Sequence, residues 1–264
     1  MPGPLVRASG ALFLMRSSIF VLGALLASLV AAQPPAPQAR VPVIVELFTS
    51  EGCSSCPPAD NVVSRLERDQ PLPGVEVIAL GEHVDYWDHL GWKDRFSSPL
   101  FTARQQNYGE TFHLQSVYTP QIVINGTSET LGSDGNAVNQ AIGLVVKAPR
   151  AAVSMKLNGG DTVGFEVRQL PPGTRTADLF LAVTEGNIET SVQQGENAGH
   201  RLRHASVVRT LTSLGQLDTR KNGAYSATAR LMLNPNWNRA NLKLVLFVED
   251  HGTHRILGAA TLKP

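Results

Sequence analysis

The chain is short of cysteine, with two in 264 residues, which excludes a scaffold stapled by many disulfides. It lacks an excess of charge of either sign, since 23 Lys and Arg against 22 Asp and Glu leave a formal net charge of +1. No run of basic residues is present, so a nucleic-acid-binding surface is not expected. Beyond the N-terminal region no apolar run approaches the roughly 20 residues that a membrane-spanning helix needs. No internal repeat is visible. What is present is ordinary globular material, 42% hydrophobic and 17% charged, enough to fill packed cores and too apolar for a disordered chain. The length suggests one large or two modest domains.

The first residues read as an export signal. Arg7 and Arg16 lie before or at the edge of an apolar run over residues 19–30, and Val30, Ala31 and Ala32 offer small residues for cleavage before Gln33. Residues 1–32 are therefore expected to be a signal peptide, starting at Met1 or Met15, and residues 33–40 a Pro-rich, extended leader. The expected location is periplasmic or secreted, with no stable membrane span after cleavage. Export places both cysteines where a disulfide can persist.

Residues 41–49 (VPVIVELFT) have the length and β-branched content of a buried strand. Pro57 and Pro58 suit the first turn of a helix, and residues 60–69 continue it with helical spacing. Residues 75–80 read as a second strand, parallel to the first across that helix. An aromatic and charged stretch over residues 81–98 leads to a helix at 99–108. The strand QIVIN then turns at Asn125-Gly126 into a short partner, a strong hairpin signal that also accounts for the Asn-Gly-Thr sequon. A helix follows over 133–147. From Ala148 onward, short alternating segments separated by turn residues predict an antiparallel β-sandwich of about seven strands over residues 149–264.

Cys53-Ser-Ser-Cys56 sits at the first strand-to-helix junction, the position of a thioredoxin-like redox motif. There the helix dipole and free backbone N–H groups stabilise a thiolate, so Cys53 is expected to be an exposed nucleophile and Cys56 the resolving thiol. A fixed disulfide is the bland alternative. A four-residue ring contributes only about 2 kcal/mol by loop entropy, a weak reason to build one. Thr119-Pro120 opens the strand QIVIN, where a cis-proline facing the cysteines would expose the Thr119 backbone to substrate.

Other residues are candidates around this pair. Glu46, in an apolar strand, is either a poorly solvated acid/base for Cys56 or a strand-edge carboxylate reaching solvent. Trp87 and Trp92 follow the second strand and either line a substrate groove or pack the insertion onto the core. His83 could stabilise a Cys53 thiolate, and an alternative set of Cys53, Cys56 and His83 could bind Cu(I) or Zn²⁺. His200 and His204 read as ordinary surface or partly buried histidines.

Together, ELFTSEGCSSCPPAD, HVDYWDHLGWKDRFSSPLFTARQ and YTPQIVING resemble the secreted bacterial thioredoxin-like family known as domain of unknown function 1223. GENAGHRLRHASVVR at 195–209 continues the resemblance past residue 148. It implies a thioredoxin-like α/β domain over 41–148, with a helical insertion before the cis-proline and a β-rich C-terminal part. It implies no established reaction. From the site, thiol–disulfide exchange is expected, with no cofactor, a protein or small-thiol substrate and a separate redox partner. A metal-handling protein and a non-enzymatic binding module with an inert disulfide are the rival readings.

Overall fold

The uninterrupted β-branched run near residue 41 becomes a strand buried on both faces. The computed structural model describes residues 40–218 and 224–264; the expected signal peptide and the leader up to residue 39 lie outside the described residues. Strand β1 (Val41–Thr49) and strand β2 (Val75–His83) pair in parallel, joined by helix α1 (Pro57–Asp69). Pro57 and Pro58 occupy the helix's first turn, and Gln70 ends it in a left-handed conformation.

Successive side chains of β1 point to opposite faces. Val43, Val45 and Leu47 pack with Ala59, Val62, Val63 and Leu66 of α1 and with Val138 and Ile142 of helix α3 (Gly135–Val145). Ile44 and Phe48 lie on the other face, against Phe101 and Tyr108 of helix α2 (Pro99–Thr111). Ser98 and Asp134 cap α2 and α3 by accepting bonds from backbone N–H groups of their first turns.

Strand β3 (Gln121–Ile124) runs antiparallel to β1 and pairs with β4 (Ser128–Leu131) through the expected Asn-Gly turn. Asn125 (φ 48°) and Gly126 (φ 62°) both have the positive φ that a tight hairpin of this kind uses. A Cβ at Gly126 would lie 2.0 Å from the His254 carbonyl oxygen, so no larger residue fits there.

The C-terminal half departs from the expected separate sandwich. Its described residues supply nine strands: β5 (Ala152–Leu157), β6 (Thr162–Arg168), β7 (Thr176–Glu185), β8 (Ile188–Ser191), β9 (Arg201–His204), β10 (Val207–Asp218), β11 (Tyr225–Arg230), β12 (Leu242–Asp250) and β13 (Ile256–Leu262). Four of them extend the first sheet, in the order β13-β12-β7-β10-β2-β1-β3-β4. The join is where Val207 of β10 meets Gly81 of β2 in parallel, with the Gly81 N–H donating to the Ser206 carbonyl at 2.8 Å. A Cβ at Gly81 would come within 3.3 Å of two backbone oxygens of that neighbour, which explains the glycine.

The described residues thus form one compact unit. Pairing β10 with β2 covers what would otherwise be an open sheet edge. Strands β11-β6-β5 form a small second sheet, whose Val163, Phe165 and Val167 pack on Leu179, Leu181, Leu244 and Leu246 of the large one. Among the described residues, no helix is long and apolar enough to cross a membrane.

Candidate functional site

β1 ends at Thr49, and two tight turns carry the chain to α1. The Cys53 N–H donates to the Ser50 carbonyl and the Cys56 N–H to the Cys53 carbonyl, each at 3.2 Å. This folds the four-residue segment back on itself, and Cys53 and Cys56 form a disulfide with their Cα atoms 5.4 Å apart. Thr119 Oγ1 lies 3.4 Å from Cys53 Sγ, as does Ser55 Oγ. Thr119 Oγ1 also accepts a bond from Trp87 Nε1 at 2.8 Å. The Thr119–Pro120 peptide bond is cis. Cys53, Cys56, Trp87, Thr119 and Pro120 are thus gathered around one loop, from three places in the sequence.

Two expectations about the thiols change. Cys53 is not exposed: both cysteines have 0% of their surface accessible, and Ser54 and Ser55 are what solvent meets. The cover comes from residues 195–199. Glu196 accepts from the Ser54 N–H (3.1 Å) and hydroxyl (2.7 Å), while Asn197 Nδ2 donates to the carbonyls of Glu51 (2.9 Å) and Cys53 (3.0 Å). The helix start also offers fewer donors than expected, because Pro57 and Pro58 have no N–H. The polar neighbours of Cys53 Sγ are therefore hydroxyls, those of Ser55 and Thr119.

Beneath the loop lies a buried set of acids and histidines. Asp94 Oδ2 pairs with His83 Nδ1 at 2.6 Å and accepts from the Glu51 N–H at 2.8 Å. Glu51 Oε2 accepts from Trp92 Nε1 at 2.8 Å, and Glu51 Oε1 faces His204 Nε2 at 3.5 Å. His204 Nδ1 pairs with Asp60 Oδ1 at 3.1 Å, and Asp60 Oδ2 accepts from the Thr49 hydroxyl. Burial alone would raise the Asp94 carboxyl, but His83 and the backbone N–H groups of Glu51 and Phe96 bring it down to about 2. Burial also opposes charge on His204, yet Asp60 and Glu51 hold the imidazolium and push its pKa up to about 10. The Glu51 carboxyl is lowered despite its burial, first by the His204 imidazole facing it and then by Thr190 and Trp92.

The expected alternative of Cys53, Cys56 and His83 as metal ligands is not assembled. Both sulfurs are bonded to each other and His83 Nδ1 is committed to Asp94. Among the described residues, no three His, Cys, Asp or Glu side chains are arranged to hold a metal ion.

The family described as "Protein of unknown function (DUF1223)" matches residues 44–249, well over half of the chain. The chain belongs to the DUF1223 family. Among curated proteins nothing matches. Among solved structures, protein AGR_C_4864 from Agrobacterium tumefaciens is similar, with a TM-score of 0.66 and 26% identity over 86% of this chain and 96% of that one. A domain of the outer membrane lipoprotein Omp28 from Porphyromonas gingivalis matches more distantly, with a TM-score of 0.25 and 12% identity over 43% of this chain and 93% of that one. The DUF1223 match includes both the cysteine loop and the 195–209 segment that covers it.

Glu46 is placed elsewhere in this DUF1223 chain. It is fully buried, but on the α2 face of the sheet, the face opposite α1, because it alternates with Val45 and Leu47 along β1. There it accepts from Arg104 Nε (2.6 Å) and the Tyr108 hydroxyl (2.7 Å), and so it is neither an acid/base for Cys56 nor a solvent-reaching edge residue. The carboxylates that do face or flank the cysteine loop are Glu51, Asp60, Asp94 and Glu196, none of them among the residues expected from the sequence. His204, expected to be an ordinary surface or partly buried histidine, is buried between Glu51 and Asp60. Its signal was available: in Arg201–His204 the apolar Leu202 marks one face, and His204, two residues on, shares that buried face.

Proposed function

We propose that this chain is an exported, thioredoxin-like thiol–disulfide oxidoreductase working through the sulfurs of Cys53 and Cys56. One observation carries the reading: the Thr119 hydroxyl lies 3.4 Å from Cys53 Sγ, placing the residue before Pro120 beside the sulfur that would meet substrate. The parallel β1-α1-β2 unit with its cysteines at the strand-to-helix junction supports the thioredoxin-like description. The apolar N-terminal segment supports export.

The chemistry needs no group beyond the two sulfurs. In the reducing direction, the Cys53 thiolate attacks one sulfur of a substrate disulfide, and the other substrate sulfur leaves as a thiolate and takes up a proton. Cys56, losing its proton, then attacks Cys53 Sγ, restores the Cys53–Cys56 bond and releases the second substrate thiol. The substrate, a protein or a small disulfide, gains two electrons and the cysteine pair loses them. A dithiol partner restores the reduced pair, and the same steps reversed oxidise a substrate dithiol. Trp87, half-buried and bonded to the Thr119 hydroxyl, borders the position where the substrate would lie, whereas Trp92 donates to Glu51 beneath the loop.

The rival is a static disulfide, favoured by the full burial of both sulfurs. A redox titration separates the two. Exchange predicts a potential of roughly −270 to −120 mV, whereas a structural disulfide falls below about −300 mV. Cys56→Ala is expected to accumulate mixed disulfides through Cys53, and Cys53→Ala to trap nothing. Trapping through Cys56, or in neither variant, would overturn the assignment.

Access to the sulfurs passes the Glu196 carboxylate, which is exposed and whose pKa is lowered by its bonds to Ser54. Glu196→Ala is expected to speed reduction of the disulfide by glutathione, an anionic thiol, about two- to fivefold at low salt, with the gain fading near 1 M salt. Cysteamine, a cationic thiol, should show no such gain. Equal acceleration of both reagents would mean that Glu196 acts as a steric latch and not as a charge.

A further inference from the structure

Glu51 stands two residues before Cys53, and Asp60 stands four residues after Cys56, one turn into α1. Both carboxylates converge on one side chain, His204 of β9: Glu51 Oε1 at 3.5 Å from Nε2 and Asp60 Oδ1 at 3.1 Å from Nδ1. His204 is 4% exposed, Glu51 0% and Asp60 8%, so water screens these charges little. The segment immediately upstream of β9 supplies Glu196 and Asn197, which cover the same loop from outside.

The signs of the surrounding charges matter for a buried sulfur. Facing or flanking the loop are Glu51 from the segment after β1, Asp60 from α1, Asp94 from the segment after β2 and Glu196 from the segment before β9. Against these four carboxylates stand two imidazoles, His83, paired with Asp94, and His204. Carboxylates beside a thiol disfavour its ionisation. The usual remedy, N–H groups at a helix start, is cut back by Pro57 and Pro58. A positive charge tied to both flanks of the cysteine pair supplies what the helix start lacks.

We propose that His204 is a positioning residue of the Cys53–Cys56 site: its imidazolium bridges Glu51 and Asp60, offsets their charge and thereby allows reduced Cys53 to carry a thiolate. The inference rests on the exchange reading above and deepens it. It makes the site a product of both halves of the chain, because the cysteines come from the β1-to-α1 connection and their counter-charge from β9.

The test is the pH dependence of Cys53 alkylation by iodoacetamide in the mildly reduced, full-length protein, read by mass spectrometry at each cysteine. His204→Gln keeps a donor and loses the charge; its Cys53 titration midpoint is expected to rise by about one unit, so alkylation below the midpoint slows about tenfold. Glu51→Gln removes a negative charge from the same pair and is expected to move the midpoint the other way. The opposite signs separate charge from loosening, since a merely slackened loop shifts both variants in one direction, and that result would overturn the proposal. If His204→Gln does not fold, Glu51→Gln decides alone, and an unchanged or raised midpoint there overturns the proposal. A wild-type Cys53 that resists alkylation after mild reduction defeats the exchange reading and this inference together. A reactive wild type with both variants titrating like it defeats only the role of His204.

Discussion

Arg104→Met is expected to destabilise the protein by about 3–5 kcal/mol at neutral pH, the usual cost of leaving buried charges unpaired. Arg104 enters from α2 and reaches three carboxylates on three strands: Glu46 of β1 at 2.6 Å, Glu249 of β12 at 2.8 Å and Glu82 of β2 at 3.7 Å. It also donates to the Tyr108 hydroxyl and lies within 5.5 Å of the ring centres of Tyr108, Phe180 and Phe247. Methionine fills the apolar part of that space and withdraws the charge.

The carboxyls left behind would then carry raised pKa values. A group raised in the folded state contributes stability that is present below its unfolded pKa and lost as pH rises through its folded one. The deficit of the variant should therefore be largest at neutral and alkaline pH and shrink toward pH 4. Urea unfolding across that range measures it, and a deficit independent of pH would mean that lost packing, not charge, sets the cost. Glu82 is the control. Burial, and next the Glu46 charge, raise its carboxyl well above the usual range, and among the described residues neither of its oxygens has a hydrogen-bond partner. Glu82→Gln should thus change stability by no more than about 1 kcal/mol. Because this cluster lies on the far face of the sheet, Glu46→Gln should leave the Cys53–Cys56 potential unchanged.

Stability of the oxidised protein is expected to fall on the acid side below about pH 4 and on the alkaline side above about pH 6.5. An earlier loss sets in above about pH 4.5 from Glu82, whose carboxyl is raised in the folded state. On the alkaline side the cause is His204, raised from 6.5 to about 10. Its contribution is complete below the unfolded value and is lost as pH rises through the folded one. At about 1.4 kcal/mol per unit this is on the order of 3–5 kcal/mol between pH 6.5 and 10. On the acid side Asp94, lowered from 3.8 to about 2, contributes above its unfolded value and loses that contribution as pH falls toward 2. That step is smaller, on the order of 2 kcal/mol. Urea midpoints at successive pH values should show both limbs, and His204→Gln should flatten the alkaline one. A wild-type profile level from pH 6.5 to 10 would contradict the buried ion pairs around His204.

Local chemistry made much of this molecule legible. A continuous β-branched run, a proline pair and a short amphipathic stretch determined β1, α1 and β2, because neighbouring residues suffice to set strand and helix. Asn125-Gly126 determined the hairpin, since few other pairs accept positive φ twice in succession. Cys53 and Cys56, three apart across a strand-to-helix junction, determined the candidate site. Tertiary structure alone decided the rest. Period-2 alternation tells which residues share a face, not which face meets α1, so Glu46 could be read as buried but not as turned toward Arg104. The alternating C-terminal segments announced strands without naming their partners, and only the meeting of Val207 with Gly81 joined them to the first sheet. The same long-range pairing carried residues 195–204 to the cysteine loop, about 145 positions away in the chain. Burial of the sulfurs, and the charge on His204, follow from that encounter, because a side chain's environment is set by what folds against it and not by its neighbours in sequence.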